Sequence, residues 1–268
     1  MISPRFLLLG LCYSAHADIQ NFCGGPESLL NIVNRPSYSD SVCVVPKNNI
    51  LLEFGYQADG LIETGTAQNF AEPTMRVGLP LQSEFVIVMP NYITQNIRPH
   101  SGFTANTFGI KHVVGTTSKA MLTAEALFTA PGGSDAFGSQ ERGVAAYGIV
   151  AYSLTPSLTL SGFMGVSSQS TSKLNDGLRY TTFVPDVLLS WSHDRYSLYA
   201  ELYAQTKTAP DAGSGVIFDV AMLYLVTNYW EVDVEVAHRL TGAINQIDYY
   251  AGIGTSLRFS DVFSRPKA

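Results

Sequence analysis

A hydrophobicity pattern with a period of two runs through most of this chain and limits what it can fold into. In Glu231–Arg239 the charged residues alternate with valines, and in Tyr196–Gln205 tyrosine and polar side chains alternate with leucine and alanine. Such alternation places one set of side chains on each face of a β-strand. Because the pattern continues from Asn48 to Phe259, it predicts an all-β domain over residues 48–259.

Turn signals divide this domain into twelve candidate strands. They are 48–57, 66–79, 84–92, 107–115, 120–130, 144–153, 158–168, 180–192, 196–206, 215–226, 231–240 and 247–259. Short turns such as Pro80–Ser83 alternate with longer connections rich in Gly, Ser and Asp, such as Pro131–Gly143. Short turns on one rim and longer loops on the other are typical of bacterial outer-membrane barrels. An even number of strands leaves both chain ends on the periplasmic side.

Polarity separates a membrane barrel from a soluble β-sandwich or lipocalin-like barrel, in which the same alternation occurs. Charged residues make up only 14% of the sequence, against about 25% in soluble domains, which is too few to cover a water-exposed shell. Four aromatic residues flank short turns, as in an interfacial girdle: Trp191, Tyr196, Tyr229 and Trp230. We therefore predict a transmembrane antiparallel up-and-down β-barrel of about twelve strands, with its polar faces inward.

The first residues predict export. Arg5 precedes the short apolar run Phe6–Cys12 and the cleavage motif Ala15-His16-Ala17. This is the layout of a secretory signal peptide over residues 1–17, with the mature chain beginning near Asp18. Beyond it, no apolar stretch approaches the roughly 18 residues that a spanning helix needs. Since a closed barrel satisfies every backbone polar group in lipid, we expect the outer membrane of a Gram-negative bacterium.

The chain end and the net charge indicate the partners. Gly254, Leu257 and Phe259 fit the pattern G-x-x-Φ-x-Φ, which resembles the C-terminal signal read by the barrel-assembly machinery, although residues 260–268 follow as a short tail. Removal of Arg5 with the signal peptide takes the net charge from −6 to −7, which disfavours nucleic acid as a partner. We expect outer-membrane lipid, the assembly machinery and a small-molecule solute as partners.

Residues 18–47 precede the first strand and differ from the barrel. Cys23 and Cys43 are the two cysteines of the mature chain, and an even count in an exported protein predicts a disulfide. No histidine or second cysteine pair lies nearby to favour metal binding. Pro26-Glu27-Ser28 and the apolar residues after it predict a short helix that Asn34-Arg35-Pro36 ends. The segment is either a periplasmic tether that covers the first strand or a plug inserted in the lumen.

Two candidate strands fit the barrel poorly. Pro185 falls inside strand 180–192, so we expect a bulge or a later strand start there, because a closed barrel has no free edge. Strand 84–92 is apolar on both faces, and something apolar must cover its inner side. If residues 18–47 form a plug, the apolar face of its helix would meet Val86 and Val88.

By strand parity, the lumen receives more acidic than basic side chains. The candidates for the solute path are Glu53, Arg76, Lys111, Glu125, Glu201, Asp219, Glu231, Asp233, Glu235 and Arg258. A negative interior raises the local concentration of cations and opposes anions. The alternative is structural, with these acids bridging to bases across a narrow barrel. Inward aromatic residues such as Tyr199 and Tyr203 would either guide a hydrophobic or aromatic solute or pack against a plug.

Enzymatic signatures are weak, and we predict no enzyme activity, no metal and no cofactor. His112 and His238 face lipid by parity, but neither has the H-x-S neighbourhood of an outer-membrane phospholipase. Of the loop acids that a barrel protease would need, Asp135 and Glu141 are present, with His100 as the accompanying histidine. A barrel hydrolase is thus the least favoured alternative, after a structural or adhesive barrel with a filled lumen.

A family resemblance points to transport. The outer-membrane proteins grouped with the meta-pathway of phenol degradation are similar in several segments: Cys23–Pro26, Leu29–Asn31, Asn34–Ser37, Cys43–Pro46, Gly148–Tyr152 and Leu158–Gly165. The resemblance implies an outer-membrane barrel that transports aromatic or other hydrophobic compounds, and it implies no particular binding residue. Together with the residue pattern, it predicts a channel or transporter for small solutes.

Overall fold

The structure, a computed structural model, describes residues 23–25, 28–63, 65–210 and 212–263. The predicted signal peptide and most of the predicted C-terminal tail lie outside these residues. The elements are α1 (Ser28–Ile32), β1 (Ile50–Leu61), β2 (Thr66–Leu79), β3 (Ser83–Val88), β4 (Tyr92–Gln95), β5 (Ser101–Phe103), β6 (Thr107–Thr116), β7 (Ala120–Thr129), β8 (Gly143–Thr155), β9 (Leu158–Ser170), β10 (Arg179–His193), β11 (Tyr196–Gln205), β12 (Gly215–Thr227), β13 (Trp230–Gly242) and β14 (Ile247–Phe259). In the described part of the chain, no helix is long and apolar enough to cross a bilayer.

The strands form one antiparallel sheet that closes on itself. β1 pairs with both β14 and β2, which joins the first and last strands of the sheet. Two barrel strands are each interrupted once: β3 and β4 both pair with β2, while β5 and β6 pair with β4 and β3 respectively. Fourteen segments with two such interruptions make twelve barrel strands, which confirms the predicted all-β barrel.

The polarity of the barrel is the reverse of that in a soluble protein. Arg76, Lys111 and Asp219 point inward and are completely buried. Large apolar side chains point outward, among them Ile253 at 60% exposure and Val236 at 55%. Contiguous exposed apolar surface of this extent is unfavourable in water but is what a lipid-facing wall requires. The alternation read from the sequence therefore places the apolar set on the outside.

Residues 28–47, here called the plug, lie inside the barrel. Ser28 lies at the rim of short turns, where the Arg258 guanidinium donates to its hydroxyl over 2.8 Å. Tyr38 stacks on Tyr203, which lies toward the long-loop end of β11, with ring centroids 4.1 Å apart. The chain then returns to the short-turn rim, where Asn48 N–H bonds to the Gly78 carbonyl. The plug is thus a hairpin that enters from the short-turn rim, with its tip past the middle of the lumen.

The predicted disulfide and helix are both present. Cys23 and Cys43 are bonded, with their Cα atoms 5.7 Å apart, so the bond joins the two arms of the hairpin. The fully buried Leu29 and Ile32 of α1 belong to the same apolar cluster as Leu223 of β12. The helix packs against β12 and β13.

The predicted contact between the helix and the inner side of strand 84–92 is therefore wrong. Val86 and Val88 instead line a cavity on the long-loop side of the plug. The physical reason is that Glu84, on the same inward face, binds the return arm of the plug through Val45 N–H. This arm, rather than the helix, lies beside β3.

The strand that contains Pro185 is continuous, contrary to the expected bulge or later start. The pairing of β10 with β9 has no register shift. Phe183 bonds to Thr206 through both its N–H and its carbonyl, on the side of β11. Pro185, two residues on, directs its nitrogen to the same side, where the ladder with β11 begins only at Asp186. The N–H that Pro185 lacks would therefore lie outside the ladder between β10 and β11, so the ladder loses no hydrogen bond.

A charge on the outer wall tests the reversed polarity. Val236 lies at the middle of β13 and faces outward. We expect Val236→Arg to lower the free energy of unfolding in lipid vesicles by about 2–4 kcal/mol, the cost of arginine near the bilayer midplane. Urea titration of the refolded barrel measures this. The control is Leu174→Arg in a long loop, where Leu174 is 63% exposed. Equal stability of the two variants would contradict a lipid-facing β13.

Candidate functional site

Three carboxylates of the barrel wall hold the plug by its backbone. Glu53 accepts the Asn34 N–H over 2.6 Å, and Glu84 accepts the Val45 N–H over 2.6 Å. Glu201 accepts the N–H groups of Tyr38 and Ser39 over 2.9 and 3.0 Å, and also the Ser39 hydroxyl over 2.7 Å. Hydrogen bonds to an ionised acceptor are the stronger class. These acids, on three separate parts of the wall, therefore fix both arms and the tip of the plug.

Arg76 is a positively charged residue of the wall that also binds the plug. Its guanidinium donates to the Ile32 and Cys43 carbonyls over 2.5 and 3.2 Å. The same group forms an ion pair with Glu84 at 2.8 Å and lies 3.6 Å from Glu53. Acids and guanidinium, all fully buried, are thus mutually compensated. A buried charge needs such compensation because desolvation otherwise costs several kcal/mol.

The tip of the plug is an aromatic contact. The rings of Tyr38 and Tyr203 are parallel to within 1°, and Gln205 donates to the Tyr38 hydroxyl over 2.9 Å. Burial raises the pKa of Tyr38 to about 12. The tip therefore presents a neutral phenol at physiological pH.

Asp40 lies on the return arm within a network of opposite and like charges. Asn34 donates to its carboxylate, and Lys111 donates to the Asn34 amide oxygen over 3.4 Å. Burial alone raises the pKa of Asp40, but hydrogen bonding with Glu125 and the charges of Lys111 and Arg76 outweigh it. The pKa of Asp40 is therefore lowered, and the plug carries an anion at this position.

Arg35 places a cation on the barrel wall. Its guanidinium contacts Glu72 at 2.6 Å and lies 3.7 Å from Asp233. It lies over Gly55 and Gly254, which face each other across β1 and β14; a Cβ at either glycine would overlap it. Burial alone lowers the pKa of Arg35, but Glu72 and Asp233 outweigh burial and raise it. This arrangement, called the Arg35 seat, keeps the guanidinium charged.

Two cavities lie on opposite sides of the plug. The turn-side cavity, about 560 Å³, reaches Ser118 and Pro156 at the short turns, and ten serines and two threonines of the described residues line it. The loop-side cavity, about 430 Å³, reaches Asn245 at the long-loop rim. Three plug residues line both cavities: Arg35, Ser37 and Asp40. The lumen therefore consists of two chambers that meet at the plug.

The remaining predicted lumen acids lie on β7, β12 and β13. Glu125 of β7 lines the loop-side cavity, and Asp219 faces Glu201 across the β11–β12 ladder. In β13, Glu231, Asp233 and Glu235 occupy successive inward positions and are buried. Glu235 accepts the Tyr250 hydroxyl over 2.8 Å. Arg76 and Lys111 lie on β2 and β6, where Glu72 of β2 and Glu84 and Glu125 of the neighbouring strands accompany them.

Sequence reasoning did not select several residues of this site, among them Glu84, Glu72, Arg35, Tyr38 and Asp40. Glu84 has the strand parity of Val86, and Glu72 has that of Arg76. The period-two pattern therefore already indicated that both glutamates face the lumen. Arg35 belongs to the predicted helix stop Asn34-Arg35-Pro36, and no pattern in the sequence indicates the glycine pair on which its guanidinium lies. Among the predicted residues, Arg258 lies at the short-turn rim, where its guanidinium donates to the Ser28 hydroxyl.

Fold and site together define a twelve-stranded barrel of the outer-membrane type whose lumen contains an N-terminal plug. The chain belongs to the family described as "Putative MetA-pathway of phenol degradation", whose model matches residues 34–259. The match begins within the plug, so the plug tip and return arm are part of the family pattern. The comparison with curated proteins gave no match.

Solved structures share the fold at low sequence identity. The COG4313 outer membrane channel from Pseudomonas putida F1 is similar with a TM-score of 0.69 and 11% identity, over 84% of this chain and 100% of that chain. The NanC porin has a TM-score of 0.54 and 10% identity, over 78% and 98%. The KdgM porin has the same TM-score and identity, over 78% and 99%.

Loss of a wall carboxylate tests how the plug is held. We expect Glu201→Gln to loosen the tip, because a hydrogen bond to a charged acceptor contributes about 1.5–3 kcal/mol and Glu201 accepts three. Hydrogen–deuterium exchange of a peptide that covers Tyr38 and Ser39 should become roughly tenfold faster or more. The matched control is Asp219→Asn, which removes the facing acid. Unchanged exchange in Glu201→Gln would show that this acid does not hold the tip.

Proposed function

We propose that this protein is a passive channel for small solutes in the outer membrane of a Gram-negative bacterium, with the plug as its constriction. The observation that carries the proposal is the pair of cavities on opposite sides of the plug, with Arg35, Ser37 and Asp40 lining both. A solute that crosses the lumen passes these three side chains. The similarity in fold to a channel and two porins supports this proposal.

The proposed channel needs neither catalysis nor a cofactor. Its outer surface would contact lipid, and its insertion would use the barrel-assembly machinery through the pattern that ends at Phe259. The family description names phenol degradation, which supports aromatic or other hydrophobic compounds as solutes. The apolar and aromatic lining of the loop-side cavity, such as Leu127 and Tyr250, is compatible with such a compound.

The charges that line the path favour cations. Among the described residues, five carboxyl groups and one guanidinium line the loop-side cavity: Asp40, Glu53, Glu72, Glu125 and Glu235, with Arg35. Glu53 is paired with the buried Arg76, and Glu125 is hydrogen-bonded to Asp40, so the excess negative charge comes from Glu72, Glu235 and the pair of Asp40 and Glu125. Arg76 and Lys111 are fully buried against Glu84. An excess of one charge in a low-dielectric passage concentrates ions of the opposite sign. We therefore propose an acidic lumen that is selective for cations.

Ion selectivity in a planar bilayer tests the proposal. We expect a permeability ratio of potassium to chloride above one, measured as the reversal potential in a salt gradient. Glu72→Gln/Glu235→Gln should move the ratio toward one, because it removes two acids from the cavity wall. The control is Asp135→Asn/Glu141→Gln, which removes two acids from the long loops. A bilayer without conductance under every condition would defeat the channel, and chloride selectivity would defeat the acidic path.

Breaking the disulfide tests the plug as a constriction. The bond between Cys23 and Cys43 closes a loop of about 20 residues, which contributes roughly 3 kcal/mol in the chain-entropy model. We expect Cys23→Ser/Cys43→Ser to increase single-channel conductance or the frequency of open events, since the two arms are no longer joined.

Wild-type protein treated with dithiothreitol is the matched comparison and should behave as the variant does. Traces identical to those of the oxidised wild type would show that the hydrogen bonds of the wall hold the plug without the disulfide.

A further inference from the structure

We propose that the loop-side cavity binds small organic monocations that carry an aromatic or aliphatic body, and that the Arg35 seat supplies the charge recognition. The inference rests on the proposed function in one respect, since the solute must reach the cavity through the lumen. It goes further by naming the chemical class of the solute.

The Arg35 seat is a cation site that the structure shows occupied by a side chain. Glu72 and Asp233 receive the guanidinium at 2.6 and 3.7 Å. Gly55 and Gly254 leave the space in which the planar group lies, because any Cβ there would overlap it. The barrel wall is therefore shaped and charged for a flat cation before any solute arrives.

The seat opens into the loop-side cavity. Arg35 retains 15% exposure and Glu72 23%, and both line that cavity together with Glu235. An ammonium or guanidinium group in the cavity can therefore reach Glu72 and Glu235 without displacing the barrel wall.

The rest of the cavity suits the body of such a solute. Tyr38, Tyr203 and Tyr250 line it beside the acids, and aromatic faces attract cations by about 0.5–2 kcal/mol at such sites. Val86 and Leu127 supply an apolar lining from β3 and β7. A volume of about 430 Å³ lies within the range of small-molecule sites.

Charge separates this class of solute from its neutral and anionic relatives. Glu72, Glu235 and the hydrogen-bonded pair of Asp40 and Glu125 outnumber Arg35 in this cavity, so an anion is repelled. A neutral solute of the same shape would desolvate these acids without pairing them, which costs free energy. Arg35 itself is a tethered competitor for the seat, and its removal should therefore strengthen the binding of a free cation.

Equilibrium dialysis of the detergent-solubilised mature protein tests the inference with three probes of one shape. They are 2-phenylethylammonium, the neutral 2-phenylethanol and the anionic 3-phenylpropanoate. We expect the wild type to bind the ammonium roughly tenfold more tightly than the alcohol. A tenfold difference in affinity corresponds to the lower end of the range for one hydrogen bond to a charged group. Binding of the anion should be weakest. Equal affinity for ammonium and alcohol would overturn the proposal.

Two variants place the binding in the cavity. Glu72→Gln/Glu235→Gln should abolish the preference for the ammonium, whereas the loop control Asp135→Asn/Glu141→Gln should keep it. Arg35→Ala should bind the ammonium more tightly than the wild type does, by roughly tenfold. An Arg35→Ala variant with unchanged or weaker affinity would show that the solute and Arg35 do not share the seat, and would also overturn the proposal.

Dialysis in detergent separates this inference from the proposed channel. Ammonium binding without conductance in a bilayer would defeat the channel and leave the binding site. Conductance with no preference for the ammonium would leave the channel and defeat the site.

Discussion

Backbone N–H groups of the plug donate hydrogen bonds to carboxylates of the barrel wall, and the organisation of the lumen depends on this interaction. A chain segment inside a narrow barrel has N–H groups that find no strand partner, and an acid on the inner wall loses water when the lumen is filled. Glu53, Glu84 and Glu201 resolve both problems at once. These three acids of the inner wall therefore lie where the plug needs acceptors.

The same interaction divides the lumen into unequal chambers. On the long-loop side, charged and aromatic groups line the cavity, and Arg35 is the one basic side chain among the described residues that line it. On the short-turn side, hydroxyl groups dominate and the wall carries little charge. In the proposed channel, a solute would pass between a chamber lined by charged and aromatic groups and a chamber lined by hydroxyl groups.

Most of the barrel could be predicted from the sequence, because each strand has one face in contact with lipid and the other facing the lumen. Apolar and polar side chains must therefore alternate along every strand. Strand β14 begins at Ile247 and ends at Phe259 as the pattern predicts. The interruption of the strand at residues 89–91 was not predicted, although Pro90 lies within it and has no N–H to donate to a ladder. The inward parity of Glu53 and Glu201 follows from the pattern, but their plug partners do not, because no periodicity relates residues 28–47 to the wall.

Gly55 and Gly254 belong to the first and the last strand of the barrel and are paired across the seam that closes it. Half of the recess for the Arg35 guanidinium therefore comes from each end of the polypeptide. An open sheet, with β1 and β14 apart, has no such recess, and Arg35 would find Glu72 on one edge and Asp233 near the other. The plug can consequently dock fully only after β1 and β14 have paired and closed the barrel. Its docking therefore marks the completion of assembly.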